Sequence, residues 1–120
     1  MDKKILIVDD SSTARELITG VLESEGFQLF TASNGEEAIS KAQKECPDLI
    51  LLDVVMPGQN GFQVCRQLKT SQLTKNIKVI LVTSKNQKSD RFWGLKQGAD
   101  DYLVKPFEKS ELMRCIDHYL

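Results

Sequence analysis

PDLILLDVVMPGQNGF (residues 47–62) sets four consecutive aliphatic residues, Leu49 to Leu52, directly before a carboxylate, Asp53, and then a turn bearing Pro57, Gly58 and Gly61. An unbroken aliphatic run of that length, closed by turn residues, reads as a strand covered on both faces. Strands of that kind belong to parallel sheets with helices packed above and below. Working outward, similar short runs stand at KILIV (4–8), FQLFTA (27–32), KVILV (78–82) and DYLV (101–104). A sheet carrying its polar residues at one end of each run is therefore expected.

Helical periodicity fills the intervals. Ala14, Leu17, Ile18, Val21 and Leu22 fall on one apolar stripe. Ala38, Ile39, Ala42 and Cys46 mark a second helix, which Asn34 caps, with Glu37 placed to reach back as in a capping box. Phe62, Cys65 and Leu68 indicate a third, Phe92, Leu95 and Ala99 a fourth, and Leu112, Ile116 and Tyr119 a fifth. Gly26 and Gly98 stand where the first and fourth helices should stop, as left-handed C′ residues. The alternation is strand–helix, repeated, with short connections. Right-handed crossovers then place helices on both faces of a parallel sheet. The fold class is α/β, a flavodoxin-like (βα)5 doubly wound sandwich with strand order 2-1-3-4-5.

Composition narrows the function. The 120 residues carry 16 basic and 17 acidic side chains, a formal net charge of -1, which offers no sequence-independent attraction to nucleic acid or an anionic membrane. No apolar run reaches the ~20 residues that span a bilayer, and the amino terminus lacks a signal-peptide core. A cytoplasmic location follows as an expectation. The three cysteines, Cys46, Cys65 and Cys115, show neither zinc-ligand nor disulfide spacing and read as small apolar residues within helices. His118 reads as a surface residue.

In an open parallel sheet, ligands bind beyond the carboxyl ends of the strands, near the switch in strand order. The first strand ends in Asp9 and Asp10, the third in Asp53, the fourth in Thr83 and Ser84, and the fifth in Lys105 and Pro106. With order 2-1-3-4-5 the first and third strands are neighbours, so three carboxylates meet, with Thr83 and Lys105 approaching from one side. Carboxylates that close repel unless a cation joins them. A hard divalent ion such as Mg2+ suits an all-oxygen site. A cation, a fixed ammonium and a carboxylate nucleophile together suit phosphoryl transfer. Alone, each piece has an ordinary structural role. Asp9-Asp10 could simply start a loop or cap a helix, Thr83 could be a capping residue, and Tyr102 a half-packed aromatic at a strand end.

The runs ILIVDDSSTAR (5–15), GEEAI (35–39), PDLILLDVVMPGQNGF (47–62), VILVTS (79–84) and GADDYLVKPF (98–107) resemble the CheY-like response-regulator receiver domains of two-component signalling across residues 1–120. The resemblance implies a signalling phosphoacceptor, not an enzyme acting on other molecules. It implies that Asp53 takes a phosphoryl group from a histidine kinase or phosphotransfer protein. Asp10 would bind Mg2+ directly with Asp53 and the Val55 backbone carbonyl, and Asp9 would act through water. Thr83 is the implied switch hydroxyl, Lys105 the phosphoryl-contacting lysine, and Tyr102 the aromatic that turns inward on activation. Ser84 supplies the small neighbour such a site needs, and the Lys105–Pro106 bond is expected to be cis. A downstream target protein would meet the face built by the fourth helix, fifth strand and fifth helix, where Phe92 or Trp93 is available. TSKNQKSDRFWGLKQGADDYLVKPF (83–107) is further similar to PilH-like single-domain receivers linked to twitching motility and phototaxis.

Val55 and Lys85 stand two residues after Asp53 and Thr83, where receivers tune water's approach to the acyl phosphate. An aliphatic Val55 and a shielding Lys85 point to a long-lived phosphoryl group. Three other classes fit less well. Aspartyl-nucleophile phosphohydrolases carry a second aspartate where Val55 stands. A pseudo-receiver, binding partners without phosphorylation, would ordinarily lack part of the set that is intact here. A flavodoxin-type cofactor protein would need a phosphate-cradling loop where Asp9 and Asp10 stand.

Overall fold

The computed structural model describes residues 2–120; Met1 lies outside the described residues. In chain order the elements are β1 (Lys4–Val8), α1 (Ser12–Glu23), β2 (Gln28–Ala32), α2 (Gly35–Glu45), β3 (Leu49–Leu52), α3 (Gly61–Thr70), β4 (Lys78–Thr83), α4 (Lys88–Lys96), β5 (Asp101–Val104) and α5 (Lys109–Tyr119). All five strands are parallel, in the order β2-β1-β3-β4-β5. That is the flavodoxin-like arrangement.

Alternation along each strand divides the core into two layers. Leu6, Val8, Ile50, Leu52, Val79 and Leu81 face one side, where Ala38 and Ala42 of α2 and Val64, Cys65 and Leu68 of α3 cover them. Ile5, Ile7, Leu49, Leu51, Ile80 and Val82 face the other, under Ile18 and Leu22 of α1 and Leu112 and Ile116 of α5. The aliphatic runs are continuous in sequence because both faces are buried. Register aligns the strand ends: Val8 pairs with Leu52, Leu52 with Leu81, and Thr83 with Val104. Asp9, Asp53 and Lys105 each lie one residue beyond a paired position. Backbone bonds continue the ladder there, from Asp53 N to Val8 O at 3.0 Å and from Lys105 N to Thr83 O at 2.9 Å.

Several details differ from the sequence expectation. Leu17, placed on the buried stripe of α1, is 67% exposed, since it lies beyond the arc that Ile18 and Leu22 bury. Phe92 and Leu95 are exposed, and so is Trp93; the residue α4 buries is Gly94. Cys46 is the left-handed C-cap of α2 (φ 47°) and is exposed, not a member of its apolar stripe. Asn34 caps α2, accepting from Glu37 N at 2.8 Å, but the Glu37 carboxylate pairs with Lys41 at 3.5 Å instead of closing a capping box. Gly98 is, as expected, the left-handed residue following the α4 cap (φ 100°). Gly26 is also left-handed (φ 82°), yet it lies past the Ser24 cap of α1, in the turn to β2. No helix of the described residues is long and apolar enough to cross a membrane.

Candidate functional site

The carboxyl ends of β1, β3, β4 and β5 form one acidic pocket. Asp9, Asp10 and Asp53 each place a carboxylate oxygen within 4.8 Å of the others. Asp9 is buried and fully engaged. Its Oδ1 accepts from Ser11 N at 2.9 Å and its Oδ2 from Lys105 Nζ at 2.7 Å, while its carbonyl accepts from the Arg15 guanidinium at 2.7 Å. Asp10 is exposed. Asp53 is buried, with Oδ1 accepting from Val55 N at 3.3 Å and Oδ2 at 3.8 Å from Lys105 Nζ. The lysine therefore sits closer to Asp9 than to Asp53, a preference the sequence did not disclose.

The Asp53 carboxyl is held above the usual carboxylate range, chiefly because burial removes its water. The Lys105 ammonium opposes this, Asp9 adds to it, and the Val55 and Val54 amides favour the ionised form. Three carboxylates facing one ammonium leave the pocket two negative charges in excess. An all-oxygen set with that excess fits a hard divalent cation such as Mg2+ and suits no soft metal.

Thr83 is fully buried at the end of β4, and its Oγ1 accepts from Lys85 N at 3.3 Å. Tyr102 is 4% exposed, and its hydroxyl donates to the Lys85 carbonyl at 2.8 Å. The Lys85 backbone thus touches both side chains. Lys105–Pro106 is cis, and Ser84, Lys85 and Val55 are exposed around the pocket. His118 is exposed on α5. Asp9, Asp10, Asp53, Thr83 and Lys105 all end or follow strands at this end of the sheet.

Three contributors were not nominated. Ser11 and Arg15 fix Asp9 through the bonds above. Gly61 lets α3 start against the end of β3: a Cβ there would lie 2.2 Å from the Asp53 carbonyl oxygen and 2.6 Å from Val54 Cα. The two glycines of the turn hinted at such an approach without saying what was approached. Beside the pocket, an apolar groove of about 550 Å3 runs between α1 and α5, walled by Leu17, Ile18, Val21, Phe107 and Leu112 and ending at Lys105.

Comparison with known proteins gives a consistent picture. The family model described as the response regulator receiver domain matches residues 5–117. The chain is 47% identical over 117 residues to Protein PilH of Pseudomonas aeruginosa, covering 98% of this chain and 97% of that protein. It is 41% identical over 116 residues to the phosphate regulon transcriptional regulatory protein PhoB of Escherichia coli, of which it spans only 51%. Among solved structures, the chemotaxis protein CheY4 of Vibrio cholerae superposes with TM-score 0.94 at 32% identity, over 100% of both chains. A response regulator from Chloroflexus aurantiacus gives TM-score 0.94 at 34% identity, covering 99% of this chain and 98% of that one.

Proposed function

This chain belongs to the response regulator receiver family, and on that premise we propose that residues 1–120 form one receiver domain whose Asp53 accepts a phosphoryl group from a phosphohistidine. The observation that carries this reading is the Lys105 ammonium lying between Asp9 at 2.7 Å and Asp53 at 3.8 Å in a pocket with excess negative charge.

The Asp53 carboxylate attacks phosphorus in line. The phosphorus–nitrogen bond to the donor imidazole breaks as the phosphorus–oxygen bond forms, and the imidazole leaves carrying its electron pair. Lys105 sits 3.8 Å from the attacking carboxylate, within reach of an incoming phosphoryl oxygen after a small movement. Lys105 then exchanges part of its hold on Asp9 for that oxygen. Thr83 donates its hydroxyl to another oxygen once the group has arrived. Asp9, Asp10, Asp53 and the Val55 backbone carbonyl would hold Mg2+, which when bound neutralises phosphoryl oxygens in the transition state. The role of the Val55 carbonyl rests on family resemblance.

The partner supplying the phosphoryl group is a histidine kinase or phosphotransfer protein. The groove between α1 and α5 that ends at Lys105 supports approach from that side. Output is to a target protein at the face of α4, β5 and α5, in the cytoplasm, with likeness to PilH favouring a motility or taxis pathway. Catalysis extends only to the domain's own phosphorylation and slow dephosphorylation.

The test is phosphorylation by a small phosphodonor such as acetyl phosphate, with and without Mg2+, read by intact mass on wild type and Asp53→Asn. One phosphoryl group gained only with Mg2+ and absent from the variant is the expected outcome. No gain in wild type overturns the reading in favour of a binding module that works without phosphorylation.

A further inference from the structure

Gly94 is the residue of α4 buried against the sheet, while its neighbours Phe92, Trp93 and Leu95 stand in solvent. Glycine weakens a helix interior, so a glycine at the one buried point of a nine-residue helix calls for a local reason. Its backbone is helical, so conformation does not exclude a larger residue. Space does. A Cβ on Gly94 would lie 2.7 Å from Leu81 Cδ1 and 3.1 and 3.2 Å from Tyr102 Cδ2 and Cε2, all inside the ordinary carbon–carbon separation of about 3.5–4.0 Å. The leucine methyl ends a flexible side chain and can turn away. The ring is tethered through its hydroxyl to the Lys85 carbonyl at 2.8 Å, so it yields only by giving up that bond.

We propose that Gly94 sets the conformational balance of Tyr102: the missing side chain is the room that the inward ring occupies, and any side chain there drives the ring outward or lifts α4. Gly94 is a positioning residue, acting through van der Waals contact with the ring. Its opposite surface is the Phe92–Trp93–Leu95 face, so ring position and the attitude of that face are two aspects of one packing choice. The packing claim stands by itself. Its signalling weight rests on the reading of Asp53 and of the α4–β5–α5 face proposed above.

The chain holds two tyrosines and one tryptophan, which makes the ring and the helix separately observable. Full-length protein is labelled with 3-fluorotyrosine, the Tyr102 resonance is assigned with Tyr119→Phe, and fluorine NMR reads the ratio of solvent-protected to exposed ring. Wild type should show mainly the protected signal. Gly94→Ala should lower that ratio by about tenfold, as expected for moderate overpacking, and shift the Trp93 emission. With Mg2+ and beryllofluoride as phosphoryl mimic, Gly94→Ala should need more ligand, about twofold if the wild-type ratio is near ~10, because the ligand's apparent affinity falls with the fraction already inward and not with the ratio itself. A folded Gly94→Ala with both the wild-type ratio and the wild-type Trp93 emission overturns the proposal. Thermal melting adds a cycle: Gly94→Ala should lower Tm alone but raise it in a Tyr102→Ala background, where the ring's place is empty. Additive shifts overturn the proposal. Should Gly94→Ala alone not fold, folding of Gly94→Ala/Tyr102→Ala upholds it and failure of both overturns it. A changed ring ratio in a protein whose wild type ignores beryllofluoride upholds the Gly94 assignment and overturns the phosphoryl-acceptor reading.

Discussion

The same substitution, glycine to alanine, should have opposite signs at Gly61 and Gly20. At Gly61 the added carbon would meet only backbone: the Asp53 carbonyl oxygen at 2.2 Å, Val54 Cα at 2.6 Å and the Asp53 carbonyl carbon at 2.8 Å. Backbone cannot rotate away, so the start of α3 must retreat by roughly 1 Å to restore ordinary separations. Overpacking of this kind costs about 1–3 kcal/mol, and the Gly61 N to Val54 O bond at 2.9 Å adds up to about 1 kcal/mol if it is lost. The gain from alanine in a helix offsets at most about 1 kcal/mol. The net loss is about 1–3 kcal/mol, or roughly 4–12 °C in Tm for a domain of this size. Gly20 sits within α1 with nothing inside 4 Å of a built Cβ, so Gly20→Ala should raise Tm by up to about 4 °C. Because Gly61 leans on the carbonyl of Asp53 itself, its replacement should also slow acceptance of phosphate from a small donor by about 100-fold, while Gly20→Ala leaves that rate unchanged. Circular-dichroism melting and intact-mass kinetics read both. A Gly61→Ala protein that melts and reacts like wild type would refute the close-approach reasoning.

Val55→Asn should shorten the phosphoryl lifetime, because an amide at that exposed position can orient water where valine cannot; an unchanged hydrolysis rate counts against it. Burial pushes the Cys65 and Cys115 thiols up to about 12, Asp101 contributing at Cys115, whereas Cys46 is exposed. Maleimide at neutral pH should therefore label Cys46 quickly in the native protein and all three cysteines only after denaturation. The Tyr102 phenol is likewise pushed up to about 12, by burial first and Asp90 second, against Arg91. Since the folded state holds that proton more tightly than an unfolded chain with an ordinary value near ~10, its contribution is complete below about pH 10 and is lost as pH rises toward about 12. Tyr102→Phe should flatten this alkaline limb of the stability curve; an unaltered limb would contradict the assignment.

The strands were legible because their chemistry is uniform: Ile5 to Val8, Leu49 to Leu52 and Val79 to Val82 have no polar member, and burial on both faces requires none. The pocket was legible because a parallel sheet gathers strand ends, which made Asp9, Asp10, Asp53, Thr83 and Lys105 neighbours before any coordinate was known. What escaped is what periodicity cannot carry. The α4 pattern pointed to Phe92 and Leu95 as core, but the helix packs through an atom that is absent, the Cβ of Gly94. Leu17 has the right spacing yet lies beyond the buried arc of α1. Lys105 pairs more closely with Asp9 than with Asp53 for reasons of distance alone. The Arg15 bond to the Asp9 carbonyl leaves no trace in a search for charged pairs, since its acceptor is backbone.

The bond between Lys105 and Asp9 spans 96 positions of the chain, and it has a consequence for synthesis. A ribosome that has released β1 to β4 presents Asp9, Asp10 and Asp53 without the Lys105 ammonium, which arrives with the residue after β5. Loop closure over such a separation is slow relative to local helix formation. A chain that stops before Lys105 lacks the charge that offsets those carboxylates and, on the function proposed above, should be a poor phosphoryl acceptor. On that same proposal, competence to accept a phosphoryl group arises with the last strand, and a copy truncated before Lys105 should stay unphosphorylated.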